Sequence, residues 1–488
     1  MTSVIGQFFK NVFSSSAGLV IAIIIAFFFT PYLISNLGKA QYGIWNLVFS
    51  LLAYMRLADV GIQQSLVRYV SKHYASRNWD ELNGIINSSV RLYFFVSVFT
   101  LAVTFVIAMG LLKYLKIPTE YLTITQTVVV ILGINQALNF ASLPFCSLGP
   151  FHRFDIVSYF SIGGRILETL GIIVLLEMGF GLVQMAFVII GLNCISVLWR
   201  YRIRRTMYPD VKFSRKDVSI EKVKELIGYG IYSFLIIIAW TVIFQTDNIV
   251  IAGFLSTEAV AVYSVPAMIV TQLRNSIMAV SIPLVPAISH FEALKDYKTI
   301  MQIYAKSTRY LHYISGYLCI SILVFGGPFI LLWIKKEFID AIEVLRILIF
   351  AGAFTFPQII ANSVLLGVSK HRITFFILGS EAVANIILSL ILVQYFGIAG
   401  VAWGTAIPQI IIYIFIYPRV FYKAMGASVR DFYVTASKSL GYSIVLMLPT
   451  AYIMYKLLTP DSWLYLIIDC LVVTVVMMAG LVGVILDT

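Results

Sequence analysis

Fourteen apolar runs follow one another along the chain, separated by short polar connections. Their approximate limits are 15–35, 42–66, 88–112, 121–147, 156–176, 180–200, 228–253, 260–284, 306–333, 341–366, 371–393, 397–420, 434–456 and 463–485. About 20 apolar residues suffice for a helix to cross the hydrocarbon core of a bilayer. Backbone polar groups at that depth must be satisfied internally, so only helices or a closed barrel can span. The alternation that a barrel needs is absent, which leaves an all-α polytopic membrane protein of about 14 transmembrane helices. Composition agrees. Of 488 residues, 60% are hydrophobic and 12% charged, with mean hydropathy +0.93, where a soluble domain is about a quarter charged. A cytosolic enzyme and a nucleic-acid binder are both excluded. Cys146, Cys194, Cys319 and Cys470 each sit in an apolar run without metal-ligand spacing, and the five histidines form no HxxxH. Neither a metal site nor a cofactor is expected, beyond a coupling H+ or Na+.

The basic residues set the orientation. With the N-terminus inside, 22 of the 35 Lys and Arg fall in inner segments. Nine of these lie in the basic connection 201–227 and its approach, from Arg200 to Lys224. Six lie in outer segments. The positive-inside rule then places both termini in the cytoplasm. The net charge of +12 therefore reports topology rather than an acidic partner.

An ungapped offset of 218 residues relates the two halves. It carries Arg56 onto Arg274, Ser71 onto Ser289, Arg91 onto Arg309, Leu148-Gly149 onto Leu366-Gly367 and Gly179 onto Gly397. Spans 1–6 map onto spans 7–12. Six is an even number, so the copies share orientation, the plan of transporters built from parallel repeats. This predicts an N-lobe at 1–218, a C-lobe at 219–430 and two additional helices in 431–488.

Ionisable groups at membrane depth cost at least about 2.5 kcal/mol each and mark cavities or buried pairs. Arg56 and Asp59 fall on span 2, Arg165 and Glu168 on span 5, Arg274 on span 8 and Glu381 on span 11, all near the middle. Asp247 falls in the outer half of span 7. Arg56/Asp59 and Arg165/Glu168 are i,i+3 pairs that share a helix face and can neutralise themselves. Arg274 has no carboxylate at i±3 or i±4, so it needs one on another helix or an anion. Together with its repeat-mate Arg56 it could form a cationic clamp, since a planar guanidinium suits bidentate binding of phosphate. Arg91 and Arg309, at the inner ends of spans 3 and 9, either snorkel to head groups or line an inner vestibule for an anionic head group. Asp59, Asp247, Glu168 and Glu381 serve as coupling carboxylates or as arginine partners. Asn135, Asn139 and Gln245 can hydrogen-bond sugar hydroxyls or a neighbouring helix. Tyr42, Trp45, Trp199, Trp333 and Trp463 fall near the predicted interfaces and read as an aromatic belt.

Two stretches resemble a known family. The segment RLADVGIQQSLVRYVSKHYASRNWDELNGI (56–85) is similar to the D-x-G-(x)n-R segment of bacterial polysaccharide-unit exporters, through Asp59, Gly61 and Arg68. DNIVIAGFLSTEAVAVYSVP (247–266) is similar to their D-x-(I/V)-(I/V)-x-G-x-(F/L)-x(5–7)-V-x-x-Y stretch, through Asp247, Gly253, Phe254 and Tyr263. The chain thus resembles Wzx-type oligosaccharide flippases of the multidrug/oligosaccharidyl-lipid/polysaccharide (MOP) exporter superfamily. The resemblance implies a bacterial cytoplasmic-membrane protein that flips an undecaprenyl-pyrophosphate-linked oligosaccharide repeat unit to the outer leaflet by alternating access, for O-antigen, capsule or exopolysaccharide. It implies as partners that substrate, membrane lipid and, in the pathway, a polysaccharide polymerase and a chain-length regulator. Lipid II flippases of the same superfamily carry arginines on helices 1, 2 and 8; span 1 here has none, which points to a different sugar cargo. The rival readings are a multidrug and toxin extruder, in which cavity carboxylates would outnumber arginines, and a membrane enzyme of lipid-linked sugars, which would carry larger outer loops.

Overall fold

The computed structural model describes residues 2–151, 153–214, 218–228, 231–281, 283–334 and 336–486. Within these, side-chain surroundings are defined for 18–481, apart from 154, 228, 231–233 and 435. The described residues are helical throughout, without a strand. Twelve continuous helical segments are long and apolar enough to cross a membrane. Two of them are double. Helix α1 (Thr2–Met55) is broken at Gly38, with φ 72° and ψ 173°, and α14 (His371–Ile411) at Gly397, with φ 56° and ψ −134°. Only a residue without a Cβ holds such angles cheaply. Each glycine turns one helix into two, which restores the fourteen spans read from hydropathy.

The chain divides into two compact units, 1–241 with 255–260, and 242–254 with 261–488. In the first, α3 (Trp79–Met109) packs on α4 (Thr119–Cys146), α4 on α6 (Leu182–Met207), and α1 on α5 (Phe154–Glu177). Lipid offers apolar side chains as good a home as protein does, so such helices associate by close packing and hydrogen bonds. Gly133 of α4 illustrates this, since a Cβ there would run into Thr104 of α3. In the second unit α11 (Tyr297–Ile334) packs on α12 (Asp340–Thr355), α16 (Val429–Leu457) and α17 (Trp463–Leu486), and α12 on α14.

The offset of 218 is a structural repeat. Ser71 donates to the Pro150 carbonyl (2.6 Å) and Ser289 to the Gly367 carbonyl (2.9 Å). Each bond ties the short helix of its unit, α2 (Ile62–Ala75) or α10 (Leu284–Ala293), to the Leu-Gly turn that recurs in the sequence. Arg77 (φ 53°) and Lys295 (φ 58°) end those helices in the left-handed conformation. The next residue closes a Schellman bond in both copies, Asn78 to His73 (3.0 Å) and Asp296 to Phe291 (2.9 Å). The same residue then caps the following helix, Asn78 at the Glu81 amide (3.2 Å) and Asp296 at the Thr299 amide (3.0 Å). Gly179 and Gly397 also both have positive φ.

Three features differ from the sequence reading. Span 2 is not one helix to residue 66. It passes through a 3-10 turn at Arg56–Asp59, breaks at Val60 and Gly61, both left-handed, and restarts as α2. The D-x-G motif is thus the helix break itself. The basic connection 201–227 is not a free linker either. Asn83 and Asn87 of α3 each pair with its backbone on both sides, with the Asp210 and Lys212 carbonyls (3.2 and 3.0 Å) and the Lys212 and Ser214 amides (2.9 and 3.0 Å). Ser88 accepts from the Ser219 amide (3.1 Å). Finally, of the expected belt only Trp199 and Trp463 are exposed, while Tyr42, Trp45 and Trp333 are buried.

Candidate functional site

The second unit holds two polar clusters. In the first, the Asp247 carboxylate on α8 (Ile231–Phe254) accepts from the Tyr263 hydroxyl on α9 (Thr257–Ser281) at 2.5 Å and from the Thr405 hydroxyl on α14 at 2.9 Å. Asn385, a few turns earlier in α14, donates to Thr405 (2.8 Å), and its amide also approaches Asp247. All four side chains are buried, as is Ser389 one turn beyond Asn385. Ser389 abuts Gly404, where a Cβ would collide with it. Among the described residues, Oδ1 of Asp247, Oδ1 of Asn385 and Oγ of Ser389 have no hydrogen-bond partner. A buried carboxylate beside an amide oxygen and hydroxyls is an oxygen-rich environment, chemically suited to a proton or a hard cation.

The second cluster surrounds Arg274 of α9. Its guanidinium stacks on Phe244 of α8, 3.6 Å from the ring centroid. Such stacking is strongest away from water. Glu381 of α14, 2% exposed and held by Gln409 and Tyr413, lies within electrostatic reach of it. Arg274 has therefore found the carboxylate on another helix that its isolation in sequence demanded. The residue as a whole is half-buried, but Nε and Nη1 of its guanidinium are buried.

The remaining predicted residues sit as follows. Arg56 is exposed in the 3-10 turn. Its i+3 neighbour Asp59 is engaged elsewhere, by the Tyr93 hydroxyl (2.6 Å) and the Gln63 amide (3.3 Å), and so fastens the helix break to α3. Glu168 is half-buried and within electrostatic reach of exposed Arg165, as an i,i+3 pair allows. Asn135 accepts from Asn193 of α6 (2.7 Å), an interhelical bond. Asn139 and Gln245 are half-buried. Arg91 is exposed on α3 and Arg309 half-buried on α11. At the inner end of α5, Arg153 grips Asp155 with two nitrogens (3.0 and 3.1 Å), and this bidentate contact holds its guanidinium above its ordinary pKa.

Sequence reasoning missed Tyr263, Asn385, Thr405, Phe244 and Tyr93. Tyr263 had a signal, because it closes the very stretch that Asp247 opens. Thr405 lies 158 residues from Asp247 in sequence and had none.

A duplicated bundle of fourteen spans, with carboxylates, amides and an arginine enclosed among its helices, defines a multi-pass membrane transporter. The chain belongs to the polysaccharide biosynthesis protein family, whose model matches residues 8–292. The MatE family model matches 233–391. A Shigella flexneri protein named "Putative O-antigen transporter" is 24% identical over 409 residues, 82% of this chain and 95% of that protein. The structure of the lipid II flippase MurJ in an inward closed conformation superposes with a TM-score of 0.73 at 13% identity, covering 98% of both chains. An inward-facing multidrug-resistance MATE transporter of the MOP superfamily gives 0.68 at 15% identity, over 82% of this chain and 95% of that one. The resemblance to polysaccharide-unit exporters is thereby borne out at the level of the family, and the two solved structures share the fold. These relatives are transporters and a flippase, not enzymes.

Proposed function

We propose that the protein flips an undecaprenyl-pyrophosphate-linked oligosaccharide repeat unit from the inner to the outer leaflet of a bacterial cytoplasmic membrane, with both termini in the cytoplasm. The observation that carries this reading is Arg274. A guanidinium kept at membrane depth on an aromatic ring, at the position that repeats Arg56, suits a phosphate-bearing head group whose lipid tail stays in the bilayer. A cationic drug would be repelled by it. Alternating access driven by a cation at the Asp247 cluster completes the reading. Asp247, Asn385, Ser389 and Thr405 offer that cation only oxygen ligands, which suits H+ or Na+. A polymerase and a chain-length regulator would consume the flipped product. The test is deletion of the gene, followed by analysis of lipid-linked oligosaccharides and of surface glycan. Inner-leaflet accumulation, relieved by the wild-type gene but not by Arg274→Ala or Asp247→Asn at equal protein level, is the expected result. Drug sensitivity without accumulation would replace the flippase with an extruder.

A further inference from the structure

A recess on the first unit answers to neither cluster. Beside α3 and the strapped basic connection lies a slot of about 600 Å³, lined by Arg91, Phe94, Phe95, Phe145, Phe213 and Ser214. Phe95 also lines a second hollow of about 420 Å³, with Phe99 and Val103 further along α3 and Leu57 and Val60 opposite. The two form one track whose shared wall is Phe95. Its inner end carries the polar groups, and the rest is apolar.

The track's charge is unusual. Arg91 is exposed at the polar end. Behind Phe213, which packs on Phe145 at 4.8 Å, the guanidinium of Arg204 stacks 4.7 Å from the Phe213 centroid. Arg204 is 2% exposed, and among the described residues its Nε and Nη1 have no hydrogen-bond partner. Among the described residues, the ionisable groups that act on it are Tyr201, Cys146 and Arg205, with no carboxylate among them. A buried cation stacked on an aromatic wall projects its field into the slot through a medium of low dielectric. Arg200, Arg202, Arg205 and Lys212 belong to the same basic stretch of the sequence. Basic clusters just cytoplasmic of a span are where anionic lipid head groups bind.

We propose that this track is a binding site for an anionic diacyl phospholipid of the inner leaflet. Arg91 takes the phosphate, and Phe95, Phe99 and Val103 take an acyl chain. Length selects this occupant. From Asn87 to Val103 the track runs 16 residues of α3, about 24 Å at 1.5 Å per residue. One leaflet with its head-group layer is about 20–22 Å deep, so a diacyl lipid fits lengthwise, whereas an undecaprenyl chain overruns it. The site does not depend on what the protein transports.

Purified full-length protein in detergent, titrated with phosphatidylglycerol, phosphatidylcholine or undecaprenyl phosphate and followed by native mass spectrometry, tests it. Phosphatidylglycerol is expected to bind preferentially, and Arg91→Gln to weaken it roughly fivefold, the effect of about one surface charge. Arg204→Gln should also lower the preference while leaving the protein at least as heat-stable, because it removes a buried charge that meets no carboxylate among the described residues. A structural cation would behave in the opposite way. Phe99→Trp supplies a readout that leaves both arginines in place, since its fluorescence should be quenched by brominated phosphatidylglycerol more than by the brominated choline lipid. Equal binding of the two phospholipids, or undecaprenyl phosphate displacing phosphatidylglycerol, would overturn the proposal.

Discussion

Arg274 sits between two roles, partner of Glu381 and receptor of an anion, and a double-mutant cycle separates them. Glu381 is buried and Arg274 is within its electrostatic reach. Opposite charges within electrostatic reach of each other attract by up to about 4 kcal/mol at an effective dielectric of about 20. Removing one member of a buried pair leaves the other uncompensated and costs about 3–5 kcal/mol. For Arg274→Ala, loss of the stacking on Phe244 adds about 0.5–2 kcal/mol. Arg274→Ala should therefore lower thermal stability strongly. Glu381→Gln alone should cost less, because the neutral amide can still meet Gln409 and Tyr413. Adding Glu381→Gln to Arg274→Ala should recover up to about 4 kcal/mol, the Coulombic part of the loss. The assay is thermal unfolding of the purified single and double variants, run beside complementation of surface glycan. A coupling below about 0.5 kcal/mol would refute the pairing. If the double variant regains stability and export together, Arg274 is only the partner of Glu381. If stability returns and export does not, the guanidinium is needed by the substrate.

Further predictions concern the repeat. Gly38→Ala and Gly397→Ala should each cost about 1–3 kcal/mol, because their angles exclude a Cβ. Gly163→Ala in α5, where a Cβ meets nothing within 4 Å, should be neutral or stabilising in the same thermal assay. Arg77→Gly and Lys295→Gly should each raise stability by up to about 1 kcal/mol by relieving a left-handed backbone, and Arg77→Ala should not. The Thr299 hydroxyl and amide hold the Asp296 carboxyl below its ordinary value of 3.8. Its cap is therefore fully present above that pH and lost as pH falls through the lower folded value. The stability gap between wild type and Asp296→Ala should accordingly close on acidification.

Much of this architecture is written locally. Hydropathy marks all fourteen spans because a bilayer demands about 20 apolar residues per crossing. The offset of 218 is visible because Ser71/Ser289 and Leu148-Gly149/Leu366-Gly367 make the same latch in both copies and keep the same residues. The companion turns at Arg77/Lys295 and Asn78/Asp296 escaped that comparison. A left-handed basic residue and an Asx cap are conformational equivalents, not identities. The helix break at Val60-Gly61 was hidden too, since a window average of hydropathy does not register a reversal of φ.

The sequence by itself determined that this is a duplicated helical membrane protein, and which charges fall within its apolar runs. Periodicity and composition are properties of consecutive residues, and an ionisable group within an apolar run is conspicuous. Only the tertiary structure decided who partners those charges. Asp59 belongs to Tyr93 rather than to Arg56, Asp247 to Tyr263 and Thr405, and Arg274 to Phe244 and Glu381. In a medium without water, a polar group takes whichever donor or counter-charge the packing of distant helices brings within reach. That choice is made in space, across as many as 158 residues of chain.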